Sequence, residues 1–143
     1  VKKRRQQKLD SIKDNFPFLN DENHIYNSLV DGNYGVLNVG WEKFTFELHS
    51  NLINDSVKVD GLTEFDRKVI RLEMNLSDSD ARETLFHEIL HCALEGIGLD
   101  ERNFDGQSIS TTNEFLVTSI TRNLKIINDL NPGLFCLIFK EKL

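Results

Sequence analysis

Several things are scarce in this chain of 143 residues, and each scarcity excludes something. No apolar run approaches the ~20 residues of a membrane-spanning helix. Behind a basic N-terminus come polar residues, so no secretory signal is expected; the chain begins at Val1, and a start residue or an upstream piece can precede it. The two cysteines, Cys92 and Cys136, are too few for a disulfide framework and read as reduced thiols of a cytoplasmic protein. There are only two prolines, and neither low-complexity segments nor internal repeats. With 28% charged and 39% hydrophobic residues, the composition is that of an ordinary globular chain able to bury a core without staples.

Charge is unevenly placed. Lys2, Lys3, Arg4, Arg5 and Lys8 crowd the first eight residues, so the net charge of −6 becomes −11 over the remainder. The arm reads first as a solvated terminus, with at most a weak contact to nucleic acid. The acidic body argues against extended contact with a phosphate backbone.

Histidine is also scarce: there are four, and two of them fall in His87-Glu88-Ile89-Leu90-His91. Histidines at i and i+4 share a helical face and can hold one Zn²⁺ between them, while the intervening glutamate reaches the rim of the same site as a general base. Four histidines placed at random give HExxH on the order of 1% of the time, so its surroundings must support it. They do. Ser77-Asp78-Ser79-Asp80 resembles a capping box, and an apolar periodicity runs from Ala81 to about Glu95, where Gly96 offers a stop.

Upstream, Trp41 to His49 alternates as a half-buried strand, with Phe44, Phe46 and Leu48 on one face. Gly61 to Phe65 and Val69 to Glu73 flank Asp66-Arg67-Lys68 as a hairpin, and Ile70, Leu72 and Met74 share a face. Downstream, a loop from Leu99 to Thr112 leads to a helix from Asn113 to about Leu130, capped by Thr111 or Thr112 and ended by Asn131-Pro132-Gly133. The apolar tail from Leu134 to Phe139 packs back on the body. Before residue 40 the pattern is thin: a short helix over Gln6 to Lys13, stopping ahead of Pro17, and turns at Asp31 to Asn33 and at Gly35. Residues 1–40 are set apart as an N-terminal extension without an assigned role, and residues 41–143 as the domain.

A catalytic zinc takes three protein ligands and keeps one position for water. No histidine follows His91, so the third ligand is expected to be a carboxylate. Glu95 is poorly placed, its Cα being ~12 Å along the helix from that of His87. Asp100, Glu101 and Asp105 lie in the loop. Glu114 is best placed, opening a helix that can fold back on the first. Cys92, about 100° around the helix from His91, is ill-placed as a ligand, whereas Cys136 stays open as one. Glu83, one turn before His87, is a candidate to orient its ring.

Asn113-Glu114-Phe115-Leu116-Val117-Thr118 resembles the NExxS/T segment of gluzincins. From about Trp41 to Leu134 the chain resembles small phage and bacterial metallopeptidase-like proteins, the minimal gluzincin or ImmA/IrrE type. The resemblance rests on the glycine-led hairpin, on Glu83 to His91, and on the Glu114 helix ending in Asn131-Pro132. It implies an α+β, zincin-like fold: a small, mainly antiparallel sheet against an HExxH helix and a second, glutamate-bearing helix. It also implies a phage-encoded, Zn²⁺-dependent peptidase acting on a peptide or protein substrate, with His87, His91 and Glu114 as metal ligands and Glu88 as catalytic base. An extended substrate would add to one strand of the hairpin, with Val69 to Met74 expected at the edge. Two departures stand out: Ser119 occupies the position where thermolysin-type members have aspartate, and the downstream histidine that supports their transition state is missing. Tyr26, Tyr34, His49 and Arg122 are the candidates for that role. The alternative function is a catalytically weak or inactive regulatory protein in which metal only stabilises an interaction surface.

Overall fold

The computed structural model describes residues 16–30, 34–96 and 109–140, and of residues 109–114 the backbone alone. The helix expected over residues 6–13, the turn at residues 31–33 and most of the loop after the motif helix lie outside the described residues.

The architecture is α+β. A 3₁₀ turn (Pro17–Leu19) and helix α1 (Ile25–Val30) precede strands β1 (Val36–Asn38), β2 (Lys43–His49), β3 (Ile53–Asn54), β4 (Val57–Lys58), β5 (Gly61–Glu64) and β6 (Val69–Glu73). Helices α2 (Asp78–Glu95), α3 (Ile109–Leu130) and α4 (Leu134–Ile138) follow. The main sheet has the order β1-β2-β6-β5, while β3 and β4 form a separate small hairpin. β1 pairs antiparallel with β2, and β5 antiparallel with β6. Between them β2 and β6 run parallel, from Thr45 opposite Val69 to His49 opposite Glu73. The chain leaves β2, passes through the β3–β4 hairpin to the far edge, forms β5 and turns back into the middle as β6. The edge strand of the expected hairpin is therefore β5. Val69 to Glu73, expected at the edge, is central instead, because its second side pairs with β2.

The alternation read in β2 is present. Phe44 is fully buried, Phe46 and Leu48 are half-buried, and Lys43, Thr45 and Glu47 are exposed. Together with Leu37, Ile70 and Leu72 they offer an apolar face to α2, which returns Ala81, Leu85, Ile89 and Cys92. Residues grouped with the N-terminal extension supply Ile25, Tyr26, Leu29, Leu37 and Val39 to this same core.

The motif helix begins as expected. The Ser77 Oγ accepts the Asp80 N–H at 3.2 Å, filling one of the donor positions that a helix start leaves open. Its end differs in mechanism. Gly96 has φ −62°, an ordinary right-handed value, so the glycine is not needed for a left-handed cap. It is needed for space: a Cβ there would stand 2.5 Å from the Trp41 Nε1. Helix α3 starts at Ile109, four residues before the expected Asn113, and Thr111 and Thr112 lie within it. Hydroxyl residues lower helix propensity only slightly, so two threonines in the first turns do not oppose the helix. At its far end the buried Asn131 side chain accepts the Asn38 N–H at 2.9 Å and donates to the Asn38 carbonyl at 2.6 Å. The side chain thus behaves like one more residue paired to strand β1. Gly133 then adopts φ +81°, which releases the chain into α4.

Candidate metal centre

Helix α2 crosses the sheet with two chemically different faces. Leu85, Ile89 and Cys92 point into the core, whereas His87 and His91, one turn apart, are exposed. Their Nε2 atoms lie 3.1 Å apart and their ring centroids 4.8 Å apart. Two nitrogens 2.0–2.1 Å from a tetrahedral Zn²⁺ stand roughly 3.3 Å apart, so the pair is set close to a chelating geometry without rearrangement of the backbone.

Glu88 sits between these histidines in sequence but points elsewhere. It is 4% exposed, and its Oε2 accepts the Thr63 hydroxyl of edge strand β5 at 2.6 Å. On the same strand Gly61 lets the backbone come close: a Cβ there would stand 2.8 Å from the Glu88 Oε1 and 2.8 Å from the Thr84 Cγ2. The glycine that leads the hairpin is thus explained by the glutamate of the motif, 27 positions later in the sequence. One ligand atom from each of His87, Glu88 and His91 falls within 4.8 Å of the others. Among the described residues this is the only such group of three or more potential donors.

Glu114 lies in α3, but its side chain is outside the described residues, as are Asp100, Glu101 and Asp105 entirely. Glu95 is half-buried and outside the cluster. Cys136, left open as a ligand, is exposed on α4 and lines a different groove with Leu124, Phe135 and Phe139. Cys92 faces the core, and burial, followed by the charges of Glu88 and Glu95, pushes its thiol up to about 12. Glu83 lines the same cleft as His87 with no hydrogen bond to it among the described residues.

Three of the four candidate oxyanion donors are committed elsewhere. The Tyr26 hydroxyl is buried and donates to the Glu73 carbonyl at 2.7 Å; burial, then the charges of Glu73 and Asp60, raise its pKa. The Tyr34 hydroxyl donates to the Pro132 carbonyl at 2.9 Å, and His49 pairs with Glu47 at 2.9 Å. Arg122 remains, exposed on α3.

Two features of the site have no clear signal in the sequence. One is Thr63 as partner of Glu88, since nothing local to β5 points 25 residues ahead. The other is Asp78, which the sequence marks only as a helix-start carboxylate. Its Oδ1 accepts the Ile25 N–H at 2.8 Å and its Oδ2 accepts the Arg82 Nε–H at 2.9 Å, and Arg82 in turn donates to the Leu137 carbonyl. This network joins α1, α2 and α4 behind the site.

Comparison of the chain with protein-family models, with curated proteins and with solved structures gave no match. Among the described residues no helix is long and apolar enough to cross a membrane.

Proposed function

We propose that this chain is a zinc-dependent peptidase of zincin-like fold, with His87, His91 and Glu114 as metal ligands and Glu88 as general base. The observation that carries the reading is the cluster itself: two exposed imidazole nitrogens 3.1 Å apart beside a buried carboxylate held by the sheet edge. The donor set suits the ion, since imidazole nitrogen and carboxylate oxygen are ordinary zinc ligands in an open, three-ligand site. Zinc bound there supplies a water acidic enough to ionise near neutral pH and a Lewis acid for the scissile carbonyl.

The protein's own part is positioning and proton transfer. Thr63 fixes the Glu88 Oε2, which leaves Oε1 to take the proton of the attacking water and deliver it to the leaving amine. Edge strand β5 has one side paired to β6 and no strand on the other among the described residues, so an extended peptide can add there. Because β5 also carries Gly61 and Thr63, the added peptide would lie beside the Glu88 carboxylate. A purely structural zinc would need four protein ligands, so a count of the ligands separates this reading from the regulatory alternative.

The test is digestion of a mixed peptide pool by the zinc-loaded chain, followed by mass spectrometry. Cleavage should vanish with a zinc chelator and return with added zinc; no cleavage in any metal state would overturn the reading. Glu114→Ala should lose zinc, whereas Asp100→Ala should keep it. Gly61→Ala should keep zinc but push Glu88 off position. Misplacing a catalytic group by ~1 Å costs about a hundred-fold, so kcat should fall by about that factor. An unchanged kcat in Gly61→Ala would show that the Glu88 position does not matter.

A further inference from the structure

We infer that the cleft beside the candidate centre selects a cationic side chain, lysine or arginine, next to the bond that is cut; the inference rests on the peptidase reading for that bond. The cleft encloses about 470 Å³, within the size range of ligand sites, and runs between the N-terminal half of α2 and the approach to β5. Its lining includes His87 and Glu88, so it is continuous with the chemistry. The remaining lining is Val59, Asp60, Gly61, Asp80, Glu83 and Thr84. Asp80, Glu83, Thr84 and His87 share one face of the helix by their spacing.

Three carboxylates beyond Glu88 therefore face this space, and among the described residues no lysine or arginine lines it. Several carboxylates elsewhere are ion-paired: Glu42 with Lys68, Glu47 and Glu64 with Arg71, Asp78 with Arg82, and Asp129 with Lys125. Among the described residues Asp60, Asp80 and Glu83 have no such ion pair. They are also too spread to hold a bare metal ion, because the only convergent donor group among the described residues is His87, Glu88 and His91. Separated carboxylates over a partly apolar wall suit a long organic cation. Val59 and the Thr84 methyl group can cover the stem while the carboxylates meet the charged end. The positive end of the α2 dipole opposes a cation, but with about half a charge against three carboxylates.

The probe is a set of labelled hexapeptides that differ at one central position, lysine, arginine, leucine or glutamate. Their binding to the full-length, zinc-loaded Glu88→Gln chain is followed by fluorescence anisotropy. Lysine and arginine peptides should bind about ten-fold more tightly than the leucine peptide, and high salt should shrink the difference. Asp80→Asn with Glu83→Gln should abolish the preference, and Glu83→Lys should shift it toward the glutamate peptide. Both positions are exposed, so the fold is expected to survive, which a thermal melt checks. Equal affinity for lysine and leucine peptides, or no binding of any, overturns the inference. Lysine-selective binding by a chain whose native form hydrolyses none of the peptides would leave the cationic cleft and remove the peptidase reading. Hydrolysis without selection would do the reverse.

Discussion

Glu88→Gln is expected to lower kcat for peptide hydrolysis by about a thousand-fold, within the range that positioned acid–base groups contribute. The substitution is close to isosteric, and an amide oxygen can still accept the Thr63 hydroxyl that now bonds Oε2 at 2.6 Å. The side chain therefore keeps its place against Gly61, and the histidines keep theirs. What is lost is a basic oxygen able to take the proton of water. Zinc content should be unchanged, because Glu88 points to the sheet edge and is not assigned as a ligand. Alanine is the poorer test, since it would also open a void under β5. If Glu88→Gln hydrolyses peptides as fast as the native chain, another group is the base.

The largest expected effect on stability comes from Asp78→Ala. Asp78 is 4% exposed and serves two donors, the first amide of α1 and the Arg82 guanidinium, itself bonded to the end of α4. Alanine leaves a buried amide and a half-buried cation without their acceptor. Losing one member of such a pair costs about 3 kcal/mol. For a chain of this size that lowers Tm by roughly 10 °C. The network also has a pH signature. Burial pushes the Asp78 carboxyl upward, but the Arg82 hydrogen bond, the Ile25 amide and the charges of Arg82 and His24 outweigh it and hold the group below its ordinary 3.8. A carboxyl lowered on folding stabilises the native state above its unfolded value and loses that contribution as pH falls through the folded one. The stability gap between the native chain and Asp78→Asn, followed by urea denaturation, should therefore be full at neutral pH and close below about pH 4. A gap that stayed constant into acid would mean that the charge of Asp78 is not what holds the three helices.

The motif helix was legible because its signals are local: a serine cap, a helical apolar period and two histidines one turn apart. Strand β2 was legible for the same reason, its alternation matching its burial. The hairpin of β5 and β6 was legible too, but not its place in the sheet. Pairing of β6 with β2 joins Thr45 to Val69 across the β3–β4 excursion, and no local pattern encodes a partner that distant. A trace of it is visible in hindsight: Glu73 ends β6 almost fully buried, where it accepts the Asn51 and Leu52 amides. An edge strand would have left that carboxylate to solvent. Residues 25–39 are hard to read because short elements carry little periodicity, and nothing in the sequence shows that the Tyr26 hydroxyl is spent on the Glu73 carbonyl. At the site the histidine pair and Glu88 came from spacing alone. Thr63 and Gly61 did not, since their roles exist only once β5 lies on α2. Glu114 rests on its place at the start of a second helix and on the likeness to gluzincins.

Zinc binding by the histidine pair is the claim on which the rest depends. Its most direct measurement is the zinc content of the purified chain after equilibrium dialysis, beside His87→Ala and His91→Ala. The native chain should retain one zinc per molecule and each variant none, with all three remaining folded by circular dichroism. A native chain that dialyses free of zinc, or histidine variants that keep it, would contradict the account.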